Sequence, residues 1–175
     1  MYRLLDWYED IRDFLEMGGP VLLVIGVLTL VMWILIFERI IYYRTGLPGY
    51  IARFTDQWKA RDERRSWNAR RIRDAMISRV SNKAEQYLPL IKTLLALAPL
   101  LGLLGTVTGM IEVFEVMAFS GTGNPRSMAA GVSKATIPTM AGMVAALSGV
   151  FASTLLARYA HRKVEHLRAT LTTER

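Results

Sequence analysis

Two threonines, two glutamates and a lysine, Thr106, Thr139, Glu112, Glu115 and Lys134, stand within or beside stretches that are otherwise apolar. At membrane depth such groups can hydrogen-bond water, pair their charges or accept a proton, and ionisable residues there mark ion pathways by default. A membrane threonine also has a structural use, bonding back to a carbonyl of its own helix. Thr106 and Thr139 sit on small-residue faces of two different stretches, which favours a role as hydrogen-bonding stations for water or a partner's carboxyl group. A polar turn centred near residues 122–123 makes those stretches antiparallel, with Glu112 ten or eleven positions before the centre and Lys134 eleven or twelve after. Both then lie about 10 Å in from the outer ends at 1.5 Å per residue. The expectation is an ion pair between Glu112 and Lys134, within one subunit or between neighbours; the sharper alternative makes one of the charged residues a proton acceptor. Snorkelling toward the interface is the plain one. Other chemistry is poorly provided for. There is no cysteine, no glycine loop ending in GK[ST] and no metal-ligand cluster, and His161 and His166 lie in a charged tail. No cofactor and no enzymatic activity are expected.

The elements that must position these residues are membrane helices. The chain has 175 residues, 52% of them hydrophobic, and a mean hydropathy of +0.24. Gly18 to Phe37 is an uncharged run of twenty residues, Thr93 to Ile111 one of nineteen and Ala135 to Ala157 one of twenty-three. A bilayer core needs about 20 apolar residues as a helix. Tyr42, Tyr43 and Tyr159 stand near span ends, where aromatic residues are favoured. The first run is preceded by acidic rather than basic residues and no small-residue cleavage site follows, so it is expected to be retained and not a leader. Lys and Arg crowd the middle segment from Arg44 to Lys92 and the tail from Arg158, while the N-terminal segment has only Arg3 and Arg12 and the loop between spans two and three only Arg126. That bias places the N-terminus outside and the middle segment and tail in the cytoplasm. It also accounts for the net charge of +7 without nucleic acid.

The expected organisation is an outer amphipathic helix over 1–17, transmembrane helices over 18–43, 93–119 and 128–157, a basic helical segment over 44–92, an outer loop over 120–127 and a tail over 158–175. The fold class is an all-α integral membrane protein with cytoplasmic helical extensions. Leu4, Leu5, Trp7, Tyr8, Ile11, Phe14 and Leu15 suit one face of the first helix, which Gly18-Gly19-Pro20 should end. Thr45 to Gly49 reads as a turn, because Pro48 stands among glycines. Tyr50 to Leu88 reads as helix in two pieces, with Trp58 and Trp67 filling a helix seam. Gly102, Gly105 and Gly109 in span two let neighbouring helices approach closely. In span three Ala135, Thr139, Gly142, Ala146, Gly149 and Ser153 follow at steps of four and three, keeping one narrow face small. That stripe serves packing within the monomer or lines the interior of an oligomer, and spacing leaves both open.

TLLALAPLLGLLGTVTGMIEVF (93–114) followed by MAAGVSKATIPTMAGMVAAL (128–147) resembles the proton-channel family of ExbB, TolQ and MotA, and ExbB most closely. The resemblance implies an all-helical ring, typically a pentamer of this chain, in the bacterial inner membrane. Such a ring encloses transmembrane helices of ExbD-like partners, whose membrane aspartate takes part in proton passage, and a TonB-like protein transmits the work to outer-membrane receptors. It implies partner-facing roles for Thr106 and Thr139. One departure stands out: where ExbB and TolQ carry a glutamate in a GIxEAL-like pattern, this chain reads Gly131-Val132-Ser133-Lys134-Ala135-Thr136. TolQ-like and MotA-like subunits, and a non-conducting scaffold for a partner helix, are the alternatives. The segment over 44–92 is short for a MotA-like torque domain.

Overall fold

The computed structural model describes residues 2–120 and 125–171, and of residues 2–11, 13–17, 120, 125–127 and 130 the backbone alone. It consists of α1 (Tyr2–Lys59), α2 (Trp67–Glu85), α3 (Leu88–Ser120) and α4 (Pro125–Thr170), with no strand among the described residues. Three helical stretches are long and apolar enough to cross a membrane: Gly18–Lys59, one ending at Phe119 and Gly131–Thr170. The expected boundaries at 92/93 and 157/158 fall inside α3 and α4.

The stop expected at Gly18-Gly19-Pro20 is a kink. Gly19 has φ 67° and ψ −169°, non-helical angles inside α1, and a positive φ is a conformation that glycine adopts without a steric penalty. The apolar face expected over 2–17 lies outside the described side chains, and residues 121–124 of the outer turn lie outside the described residues.

The turn expected at Thr45–Gly49 does not form; α1 continues through it to Lys59. Proline in a helix interior costs about 3 kcal/mol, so something must outweigh it. Tyr43, Leu47 and Trp58 are 1–3% exposed, and a buried side chain of this size contributes about 1.5–3 kcal/mol. The buried stripe therefore keeps the chain helical through a sequence that would turn in isolation.

The chain forms two compact units, Met1–Trp33 with Thr93–Val150, and Ile34–Lys92 with Phe151–Arg175. In the second unit, arginines cap helix ends. Helix C-termini leave carbonyls without intrahelical donors and favour cations. Arg64 donates from Nη2 to Lys59 O at 2.6 Å, closing the end of α1. Arg39, only 2% exposed, donates to Lys83 O in the last turn of α2 (3.3 Å), and Tyr43 donates its hydroxyl to Ala84 O (2.7 Å). Arg73 donates to Leu171 O and, at 3.0 Å, to Arg168 O at the end of α4. The Arg39 guanidinium lies 4.8 and 4.4 Å from the ring centroids of Tyr42 and Tyr87, and its Nε bonds Glu38 at 2.8 Å. Tyr43, expected as an interfacial residue, is 2% exposed and packs against the Tyr159 ring at 5.5 Å. Ser66 caps the start of α2 by accepting from the Ala69 N–H. Of the two tryptophans expected in a seam, Trp58 is buried, whereas Trp67 is 67% exposed. Trp67 opens α2, and the buried face of that helix is Ala69, Ile77, Val80 and Ala84.

Candidate functional site

The first unit brings Thr106 of α3 and Thr139 of α4 together, and glycine makes this possible. A Cβ added at Gly102 would lie 3.0 Å from both Pro138 O and Thr139 Cα, and one at Gly142 would lie 2.6 Å from Ala98 O. Backbone thus meets backbone, with no side chain between. A Cβ at Gly109 would come within 2.9 Å of Ala135 Cα, and at Gly149 it would strike the side chains of Leu95 and Met32. Close approach of this kind is how small residues gain dispersion contacts and interhelical hydrogen bonds. Pro138, which was not anticipated as a packing residue, is fully buried, and a Cβ at Gly105 would clash with its ring.

The small stripe of α4 therefore faces α3 within the chain. Ala135, Gly142 and Gly149 are buried on it; Ala146 is half-buried, and Ala145 takes the buried step in its place; Ser153, also buried, belongs to the second unit. One helical residue turns through about 100°, so stepping by three from Gly142 points Ala145 at the seam and leaves Ala146 on its flank. Met140, Val144 and Leu147 on the other side are 61–71% exposed. That wide apolar surface is available to lipid, to other copies or to a partner helix.

The close approach produces a short chain of hydroxyls. Thr139 Oγ1 donates across the seam to Gly102 O at 2.9 Å, Thr106 Oγ1 contacts Thr139 Oγ1 directly, and Thr106 Oγ1 stands 3.4 Å from Gly102 O. Each hydroxyl has one proton. With the Thr139 proton on the carbonyl, Thr106 donates to Thr139, and the chain ends on Gly102 O. Both threonines are half-buried. Such a pair can orient water or a carboxyl group and pass a proton along, but it cannot store one, because neither hydroxyl ionises at ordinary pH.

The charged candidates are elsewhere. Gly109 faces Ala135 and Gly131 faces Val113, which sets Glu112 and Lys134 within about 3 Å of one level at 1.5 Å per residue. Neither they nor Glu115 join an ion pair among the described residues, and all three are exposed. Thr106 and Thr139 each follow an interface residue by one position, whereas Glu112 and Lys134 each precede one. At 3.6 residues per turn these offsets fall on opposite flanks of an antiparallel seam. The threonines occupy one flank and the charges the other.

Two long apolar helices thus meet through glycines, with a threonine pair in their seam. Residues 47–169 match the MotA/TolQ/ExbB proton channel family. The chain belongs to this family. Similar proteins of known name include putative biopolymer transport protein ExbB-like 1 of Synechocystis, 37% identical over 83 residues, which are 46% of this chain and 33% of that protein. Biopolymer transport protein exbB1 of Vibrio cholerae is 42% identical over 76 residues, 43% of this chain and 33% of that protein. The Tol-Pal system protein TolQ of Pseudomonas aeruginosa is 37% identical over 84 residues, 48% and 36% respectively. The matched part spans about a third of the length of these relatives. As a member of the MotA/TolQ/ExbB family with three helical stretches able to span, the chain is a multi-pass protein of the bacterial inner membrane.

Proposed function

We propose that this chain is an ExbB-like subunit of a motor driven by the proton-motive force, which energises TonB-dependent outer-membrane transport together with an ExbD-like single-span partner. The observation that carries it is the hydroxyl chain of Thr106 and Thr139 ending on Gly102 O. Several copies, five on the family resemblance, form a ring around the partner's helices, with the N-terminus periplasmic and the C-terminus cytoplasmic. The threonines orient water or the partner's aspartate, and that carboxyl group stores the proton which the hydroxyls cannot. Lys134 replaces the family glutamate, so the acidic role passes to the partner. Glu112, level with Lys134 on the same flank and in no ion pair among the described residues, pairs with it across the junction of neighbouring copies. A TonB-like protein carries the work outward.

The likeness to a TolQ supports a second assignment, to an envelope-integrity complex of the Tol-Pal kind. One experiment separates these. The tagged chain is purified from its native membranes in mild detergent, and its stoichiometric partners are identified by mass spectrometry. An ExbD-like protein with a TonB-like one supports the first assignment and Tol-Pal components the second. Recovery of the chain alone, as a homo-oligomer, refutes both and leaves a scaffold. In the same preparation Thr106→Val and Thr139→Val should keep the complex intact while abolishing proton-driven activity; undiminished activity removes the hydroxyl chain from the mechanism.

A further inference from the structure

One end of the second unit gathers cations that the fold does not use. From Lys59 to Arg73 the chain carries Lys59, Arg61, Arg64, Arg65, Arg70, Arg71 and Arg73 against Asp62 and Glu63. Arg64 and Arg73 are occupied by helix-end carbonyls. Lys59, Arg65, Arg70 and Arg71 are exposed. Arg61 is half-buried, and its Nε is shut away from solvent with no hydrogen-bond partner. Beside them Trp67 is 67% exposed, and the Arg71 guanidinium lies 4.4 Å from its ring centroid. A large aromatic ring on the surface, braced by an arginine, joins the two residue types that dominate binding hot spots.

Distance excludes the nearest polyanion. Helix α1 runs unbroken from Phe37, the end of the first apolar run, to Lys59, which at 1.5 Å per residue is about 33 Å. Even a 40° tilt leaves about 25 Å. The headgroup layer adds only about 5–8 Å to each side of the hydrocarbon core, and salt screens charge beyond about 10 Å. The lipid surface lies out of reach. A nucleic acid strand is a poorer fit, because successive bases stack on successive aromatic platforms and this end presents one exposed ring, Trp67, with Arg71 already over part of it.

We propose that this end, Arg65, Arg70 and the Trp67–Arg71 stack, is a docking surface for an acidic protein segment. Carboxylates of the segment meet Arg65 and Arg70, while an apolar side chain between them packs on the free part of the indole. The proposal is independent of what the threonine pair does and needs no particular assignment of the complex.

The test uses the full chain in lipid nanodiscs and a fluorescein-labelled, glutamate-rich helical peptide carrying leucines, followed by fluorescence anisotropy. Saturable, salt-sensitive binding is expected. Trp67→Ala should weaken it about tenfold at unchanged charge, and Arg65→Glu with Arg70→Glu should weaken it at least as much. Arg79→Glu with Arg162→Glu, a reversal of equal size at exposed sites away from this end, should leave affinity within about twofold. Each variant must match the parent in helix content and gel-filtration profile. Absence of saturable binding, equal losses in the control pair, or indifference to Trp67→Ala overturns the proposal. Tighter binding of a single-stranded RNA oligonucleotide, or of phosphatidylglycerol vesicles, through the same residues also overturns it and names the occupant instead.

Discussion

Replacing Gly142 with alanine adds one methyl group where two backbones already touch. Its Cβ would lie 2.6 Å from Ala98 O and 3.3 Å from Gly102 Cα. A carbonyl oxygen of a helix cannot swing aside as a side chain does, so α3 and α4 must part by about 0.8 Å to restore an ordinary 3.4 Å contact. Overpacking of a tight seam costs about 1–3 kcal/mol. Alanine's better helix propensity offsets about 1 kcal/mol of that, for a net loss of up to about 2 kcal/mol. The separation also stretches the 2.9 Å bond from Thr139 to Gly102 O beyond hydrogen-bonding range. Gly49→Ala is the matched control, since nothing lies within 4 Å of the added Cβ and the residue is helical; it should gain up to about 1 kcal/mol. Unfolding of the purified chain by titration with sodium dodecyl sulfate, followed by circular dichroism, reads both. Equal stability of the two variants would refute the claim that backbone contact sets the distance between these helices.

Three further outcomes are expected. Tyr43→Phe leaves the buried Ala84 carbonyl without its 2.7 Å donor and should cost about 1–3 kcal/mol, read as faster amide hydrogen exchange at the C-terminal end of α2. Gly19→Ala meets no atom within 4 Å, yet its φ of 67° disfavours any Cβ. It should therefore destabilise by about 1–2 kcal/mol through backbone strain alone, with Gly19→Asn milder in the same detergent titration. Glu112→Lys or Lys134→Glu alone should shift the oligomer to smaller species on native gels and the double exchange should restore it; failure to restore rules out pairing between copies.

The three spans were legible because apolar runs of bilayer length need no tertiary information. Gly102, Gly105, Gly109 and Thr106 were legible as a face, and so was the α4 stripe. Spacing could not say what the stripe faces, because packing and pore lining select the same small residues. The register that resolves it, with Ala98 opposite Gly142 and Gly109 opposite Ala135, appears only when both helices are present. The misplaced turn at Thr45–Gly49 has a similar origin: Pro48 acts locally, while the burial of Leu47 comes from residues far along the chain. Trp67 was misplaced because composition does not distinguish a residue that opens a helix from one inside it. The helix-end arginines left no pattern at all, since Arg39 and Lys83 are 44 positions apart.

Those arginines divide the positive charge of this chain into two populations. Some of its 22 lysines and arginines serve wherever they stand on the correct side of the bilayer, and a lysine there is as good as an arginine. Arg39, Arg64 and Arg73 instead hold backbone ends through a planar fork that an ammonium group cannot reproduce. An Arg-to-Lys exchange at those three sites would preserve net charge, side preference and hydropathy alike. Every index that orients a membrane protein would read the same, and the helix ends would come undone.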